Sequence, residues 1–174
     1  MIEIRTAVVS DIPALHALIE SAYRGESSRS GWTTEADLLE GQRTDAQSLA
    51  EVLANPASRI LMAHREGALA ASIMVEDRGD EVGYFGMLAV SPVGQGQGQG
   101  LGRHLIEAAH DVMRGFGATR ARIQVLPQRD TLIAWYERLG YRLTGETAPF
   151  PYGDERFGVP LRDDLSFVVM EKAL

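Results

Sequence analysis

The stretch Val90–Leu105, VSPVGQGQGQGLGRHL, decides how the rest of the chain is read. Glycines occupy positions 94, 96, 98, 100 and 102. The tract follows an apolar run that ends at Val90 and precedes an amphipathic run that starts near Leu101. It therefore predicts a strand, a loop and a helix in that order. A helix N-terminus leaves amide N–H groups unpaired and carries about half a positive charge. Glycines let such a backbone approach a phosphate with no Cβ in the way. A plain flexible loop is the competing reading. Two nucleotide motifs fail on spacing. The dinucleotide fingerprint needs glycines at relative positions 1, 3 and 6, and the sixth position here is Gln99, Leu101 or Arg103. The ATP phosphate loop needs Gly-Lys-Ser/Thr, which is absent.

On the C-terminal side, Leu101, Leu105, Ala108/Ala109, Val112 and Phe116 recur at helical spacing up to Gly117. Arg120–Leu126 (RARIQVL) reads as a strand, so strand, helix and strand imply a right-handed parallel crossover. A last helix is expected over about 130–139, stopped by Gly140. Tyr141–Thr144 and Leu165–Lys172 read as closing strands. On the N-terminal side, Ile2 and Ile4 alternate with polar residues as in a strand. Asp11 is placed to cap a helix carrying Ile12, Leu15, Leu18/Ile19 and Ala22. A short helix capped by Thr33 or Thr34 and running to Leu39 is expected next, then one capped by Asp45 and stopped at Asn55-Pro56. Arg59–Arg65 and Leu69–Glu76 flank Glu66-Gly67 as a hairpin, and a third strand, Glu81–Val90, follows the turn at Asp77–Asp80.

The chain has 174 residues, which suits one domain over 1–174. Lys+Arg number 17 and Asp+Glu 24, a net charge of −7. An acidic balance argues against a nucleic-acid binder that works by broad phosphate neutralisation. There is no cysteine, which removes disulfides, thiolate nucleophiles and Cys-based zinc sites. The only lysine, Lys172, lies near the C-terminus, so a Schiff-base lysine is not expected. His16, His64, His104 and His110 show no metal-ligand spacing. No apolar run approaches the roughly 20 residues of a membrane span, and the start lacks the order of a secretion signal. The expected location is the cytoplasm, with no membrane partner.

Gln97-Gly98-Gln99-Gly100-Leu101-Gly102 fits the pattern Gln-x-x-Gly-x-Gly. Together with Met87–Pro92 before it and Ala134-Trp135-Tyr136-Glu137-Arg138-Leu139-Gly140-Tyr141 after it, the sequence resembles the GNAT N-acetyltransferase superfamily. The resemblance runs over nearly all of the chain in element order. The loop departs from the family's pattern: four residues separate Pro92 from Gln97 where the family usually has two. A register starting at Gln95 also fits, but the one starting at Gln97 keeps Gly102–Leu105 in phase with the helix.

The resemblance implies an α/β fold with a central mixed sheet of about seven strands flanked by helices. It implies an acetyl-CoA-dependent N-acetyltransferase acting on a primary amine of a small molecule or a peptide terminus, with no metal. The pantetheine arm would lie along the strand at Leu88, Ala89 and Val90. The pyrophosphate would meet Gln97, Gly98, Gln99, Gly100, Leu101, Gly102 and Arg103. An asparagine that the family often has seven residues before its helical tyrosine is Arg129 here, which occupies that cofactor position. Tyr136 matches the tyrosine that protonates the leaving thiolate. Its other reading is a core aromatic, since Leu132, Tyr136 and Leu139 form one helical stripe. For the base, Glu81 at the start of its strand is the candidate, with a solvated turn charge as the alternative. The position that matches the family's base is Tyr84. Trp32, Glu35 and Tyr84 are the candidate acceptor-pocket residues, Glu35 for an ammonium, with Arg43 for a carboxylate. A CoA-binding regulatory module without turnover is the alternative function, and the long Gly/Pro-rich tract before the last strand leaves room for a homodimer.

Overall fold

The computed structural model describes residues 1–29, 33–92 and 100–174. Trp32, Gln97, Gly98 and Gln99 lie outside the described residues. Strand β1 (Ile2–Thr6) leads through a 3-10 turn (Val9–Asp11) into α1 (Ile12–Tyr23) and a single turn, α2 (Gly25–Ser28). Then come β2 (Leu39–Glu40), α3 (Ala46–Ala54), β3 (Ser58–Arg65), β4 (Ala68–Asp77) and β5 (Val82–Val90). Helix α4 (Leu101–Gly115), β6 (Arg120–Val125) and α5 (Asp130–Arg138) follow. The chain closes with β7 (Arg142–Pro149), β8 (Val159–Pro160) and β9 (Ser166–Ala173). Seven strands form one mixed sheet in the order β1-β3-β4-β5-β6-β9-β7, and β2 and β8 form a separate two-stranded ladder. The expected α/β class and strand number are those observed.

The sheet separates two cores because neighbouring residues of a strand face opposite sides. Ile60 and Met62 of β3 pack with Leu15, Ile19 and Leu49 of α1 and α3. Leu61 and Ala63 pack with Leu105, Ile106, Ala109 and Met113 of α4. The β3–β4 hairpin turns on Glu66 and Gly67 at φ 51° and 80°, the pair of positive φ values that a two-residue hairpin of type I′ requires. Helix α3 starts where Asp45 accepts the Ser48 N–H at 2.7 Å. Asp11 behaves otherwise: its carboxylate takes the Val8 N–H and the Arg5 guanidinium instead of capping α1.

One expected helix does not form. Residues 33–39 make a single turn, with the N–H groups of Leu38 and Leu39 on the Glu35 carbonyl, and then enter β2. The Thr33 hydroxyl bonds the Ala22 carbonyl, while the Thr34 hydroxyl accepts the Ala36 N–H at 3.2 Å and also pairs with that of Ser28, which closes one turn only. Strand β7 is also longer than the expected segment Tyr141–Thr144, because β9 pairs with it as far as Pro149–Ser166.

The feature that positions the site is a split in the sheet. Strand β5 pairs with β6 in parallel only at Val82–Tyr84 against Arg120–Arg122. Beyond Tyr84, β5 follows β4 alone. Its register there slips: Gly86 faces Met74 and Ala89 faces Ser72, so Met87 and Leu88 stand against Ile73 only. This is a β-bulge, with Met87 at φ 50°. Strand β6 meanwhile continues against β9 as far as Val125.

Candidate active site

The split opens into a cleft of about 730 Å³ lined by β5, β6, α5, α1, α3 and the loops around residues 35–44 and 149–157. The backbone of β5 is directed by its ladder. The Ser91 N–H donates to the Ala70 carbonyl, and Ala89 opposite Ser72 is in phase with that pair. The main-chain groups of Ala89 thus face β4, while those of Val90 face the side that β6 has left. Ala89 is therefore displaced from the expected role of holding a cofactor arm. The carbonyl of the preceding residue, Leu88, accepts a hydrogen bond from the Tyr23 hydroxyl at the end of α1. Residues 23 and 88 lie too far apart in the chain for the sequence to signal this contact.

At the other end of the bulged strand, α4 begins at Gly100, whose φ of 63° places it in the left-handed region. Leu101 and Gly102 are buried. Arg103 is mostly exposed and pairs with Glu107 at 3.2 Å, one helical turn on. The first turn of α4 holds no acidic residue, so its N–H groups and dipole are not countered from within the helix.

Tyr136 comes from α5, lines the cleft and is buried among core aromatics. Rings of Phe85, Trp135 and Tyr141 stand 6.0, 5.1 and 5.9 Å from its own. Burial raises its pKa far above the ordinary phenol value, and the nearby Tyr23 raises it further. The phenol therefore keeps its proton at any working pH and serves as a donor.

Tyr84 also lines the cleft. Its ring lies beside Gly86, where a Cβ would stand 3.2 Å from ring atoms. The Arg78 guanidinium sits 4.0 Å above the ring. Burial raises the Tyr84 pKa against the lowering effect of Arg78, so Tyr84 is not a phenolate base near neutrality. Glu81 does not reach the cleft. It is exposed in the turn before β5 at φ 60°, and its carbonyl receives the N–H groups of Thr119 and Arg120. The turn, not the strand, holds this residue, and its part in catalysis is dropped.

Glu35 is in the cleft, but not as an open ammonium anchor. Three guanidinium groups surround it. Arg24 Nη1 is 2.6 Å and Arg43 Nε 3.9 Å from Oε1, and Arg129 Nη1 is 3.5 Å from Oε2. Burial alone would raise the Glu35 pKa, but Arg129, Arg43 and Arg24 outweigh it and hold the carboxyl below its ordinary range. A carboxylate so stabilised is a poor base and already has its counter-charges. Arg129, at the N-cap of α5, is thus committed to Glu35. Composition gave no sign of this cluster, because its members come from four separate segments.

Residues 13–141 match the sequence model of the acetyltransferase (GNAT) family. The chain belongs to that family. It is accordingly an acyltransferase. Solved structures share its fold at low identity. The ribosomal-protein-S18-alanine N-acetyltransferase of Escherichia coli superposes with a TM-score of 0.70 at 18% identity, covering 99% of this chain and 94% of that one. The PaiA N-acetyltransferase of Thermoplasma acidophilum, solved with coenzyme A, gives 0.69 at 18%, covering 100% and 99%. A putative acetyltransferase of Salmonella typhimurium, solved with acetyl-CoA, gives 0.69 at 19%, covering 100% and 94%. No match appears among curated proteins. Among the described residues no helix is long and apolar enough to cross a membrane, and no cluster of potential ligands could hold a metal ion.

Proposed function

We propose that this GNAT acyltransferase uses acetyl-CoA and acetylates a primary amine directly. The observation that carries this reading is the divergence of β5 from β6 beyond Tyr84, which leaves an edge of β5 open to the cleft beside Tyr136. An extended pantetheine arm with peptide-like amides can add to that edge as a strand would. Gly100, Leu101 and Gly102 lead the start of α4 toward the diphosphate. The outer residues of that loop, Gln97 to Gln99, belong to the same proposal, with Arg103 at its margin.

Acetyl-CoA supplies an activated acyl group whose C–S bond breaks as the amine nitrogen forms a bond to the carbonyl carbon. The chain has no cysteine to carry an acetyl group and Tyr136 stays protonated, so the reading is direct attack of the amine on the thioester. Tyr136 donates its O–H to the departing sulfur and stabilises the developing thiolate. The nitrogen's proton leaves to water; Glu35 is ion-paired and Tyr84 protonated, and Glu51 and Glu76 are the other carboxylates on the cleft wall.

Calorimetry with acetyl-CoA tests the cofactor half, and thiol release with an amine panel tests the transfer. Binding at micromolar concentration followed by amine-dependent thiol release supports the reading. Lack of acetyl-CoA binding at high micromolar concentration removes it.

A further inference from the structure

The cleft of this acidic protein gathers five arginines among the described residues. Of the arginines that line it, Arg78 is matched by Glu76 and Arg156 by Asp154. Arg24, Arg43 and Arg129 share the single carboxylate of Glu35, so this four-residue cluster carries three positive charges and one negative, a sum of +2. Another acid, Glu20, lies close by, but it spends Oε1 on the main-chain N–H groups of Arg43 and Thr44. Glu51, also on the cleft wall, offsets a further charge, so the excess is confined to the three guanidinium groups gathered around Glu35. A partly buried guanidinium without a hydrogen-bonded carboxylate calls for an anion.

Arg43 is the member placed to bind one. Arg24 and Arg129 are nearly buried, at 5% and 10% side-chain exposure, whereas Arg43 retains 23%. At 3.9 Å its contact with Glu35 is too long for a hydrogen bond. Its guanidinium makes no side-chain hydrogen bond to any described residue, so its fork of N–H groups is available. The fork lies over the Tyr23 ring, 5.1 Å from its centre, and the Tyr23 hydroxyl is bonded to Leu88 of the bulged strand. One aromatic side chain therefore ties the cation to the strand where transfer occurs.

We infer that the acceptor is an amine that also carries a carboxylate, an amino acid, and that Arg43 binds this carboxylate in a two-pronged pair. The inference rests on the transferase reading above. It deepens that reading by assigning a substrate class.

The test compares thiol release from acetyl-CoA with free amino acids and with their carboxamides, which keep the amine and lose the charge. The carboxylates should show a KM at least about tenfold lower, as expected for a charge-assisted pair. Arg43→Gln should erase that preference by raising KM for the acids, with kcat and the carboxamide KM little changed. Arg43→Lys should restore it in part. A folding defect would depress both series together and leave their ratio intact. Equal or better turnover of carboxamides, or of peptides with a free amino terminus and blocked carboxyl, would overturn the inference and leave the transferase reading standing. Acetyl-CoA binding with no turnover of either series would overturn both.

Discussion

Replacing Tyr136 by phenylalanine removes one oxygen from a buried ring cluster and little else. The expected outcome is a fall in kcat of about 100-fold, the usual cost of one donor to a developing anion. The acetyl-CoA dissociation constant should stay within a few-fold, which separates donation to sulfur from cofactor binding. Glu35→Gln behaves differently, because it leaves three guanidinium groups without their carboxylate. It should cost about 3 kcal/mol in urea unfolding at pH 7. The sign with pH follows from the depressed folded pKa of Glu35. Its stabilisation is complete above the unfolded value of 4.5 and is lost as pH falls below it. The difference between wild type and Glu35→Gln should therefore shrink in acid, and a difference that grows below pH 4.5 would refute the assignment.

Among the elements, the packing of α4 on β5 depends on an absent side chain. A Cβ at Gly83 would stand 2.4 Å from Met113 Cγ. Gly83→Ala should cost about 2 kcal/mol by overpacking and lower the thermal midpoint by about 5 °C. Helix α4 is also tied to the segment before β7 by a buried bond of 2.6 Å between His110 Nε2 and the Tyr141 hydroxyl. Burial lowers the His110 pKa to about 4. Neutral His110 is the form that folds, so this contribution is present above the unfolded pKa of 6.5 and fades as pH falls toward 4. Chemical denaturation of wild type should lose about 2–3 kcal/mol over that window, and His110→Gln should flatten the slope.

The elements also show what a sequence reader can and cannot see. The Glu66-Gly67 hairpin and the Asp45 cap are written in neighbouring residues, and local geometry obeys them. Thr33 carries the same capping chemistry, yet the Ala22 carbonyl of α1 claims its hydroxyl, and Thr34 caps a single turn that enters β2 instead of a helix. The site divides in the same way. The glycine tract and Tyr136 belong to compact motifs. The Tyr23–Leu88 bond and the arginines around Glu35 are long-range meetings, and no local pattern announces them. Glu81 misled because a strand predicted one residue too long carried it out of the turn.

For the molecule as a whole, an overall charge of −7 coexists with a cluster of three guanidinium groups around one carboxylate in the cleft. Exposed negative charge acts through solvent and is screened within about 10 Å at 0.1 M salt. A charge deep in the cleft is screened less. Raising salt from 0.05 to 0.5 M should therefore raise KM for carboxylate acceptors only a few-fold, leaving it below that of the carboxamides. Loss of the preference at 0.5 M would instead point to a long-range field.

The small β2–β8 ladder joins Leu39 and Glu40 to Val159 and Pro160, and Gly158 beneath it lies so close to Arg24 that a Cβ would stand 2.9 Å from Nη2. The Phe157 carbonyl also accepts from Arg24. Two segments more than a hundred positions apart thus make one wall. Anyone redesigning acceptor choice by grafting must transplant residues 33–44 and 150–161 together, since either half alone arrives without its mate.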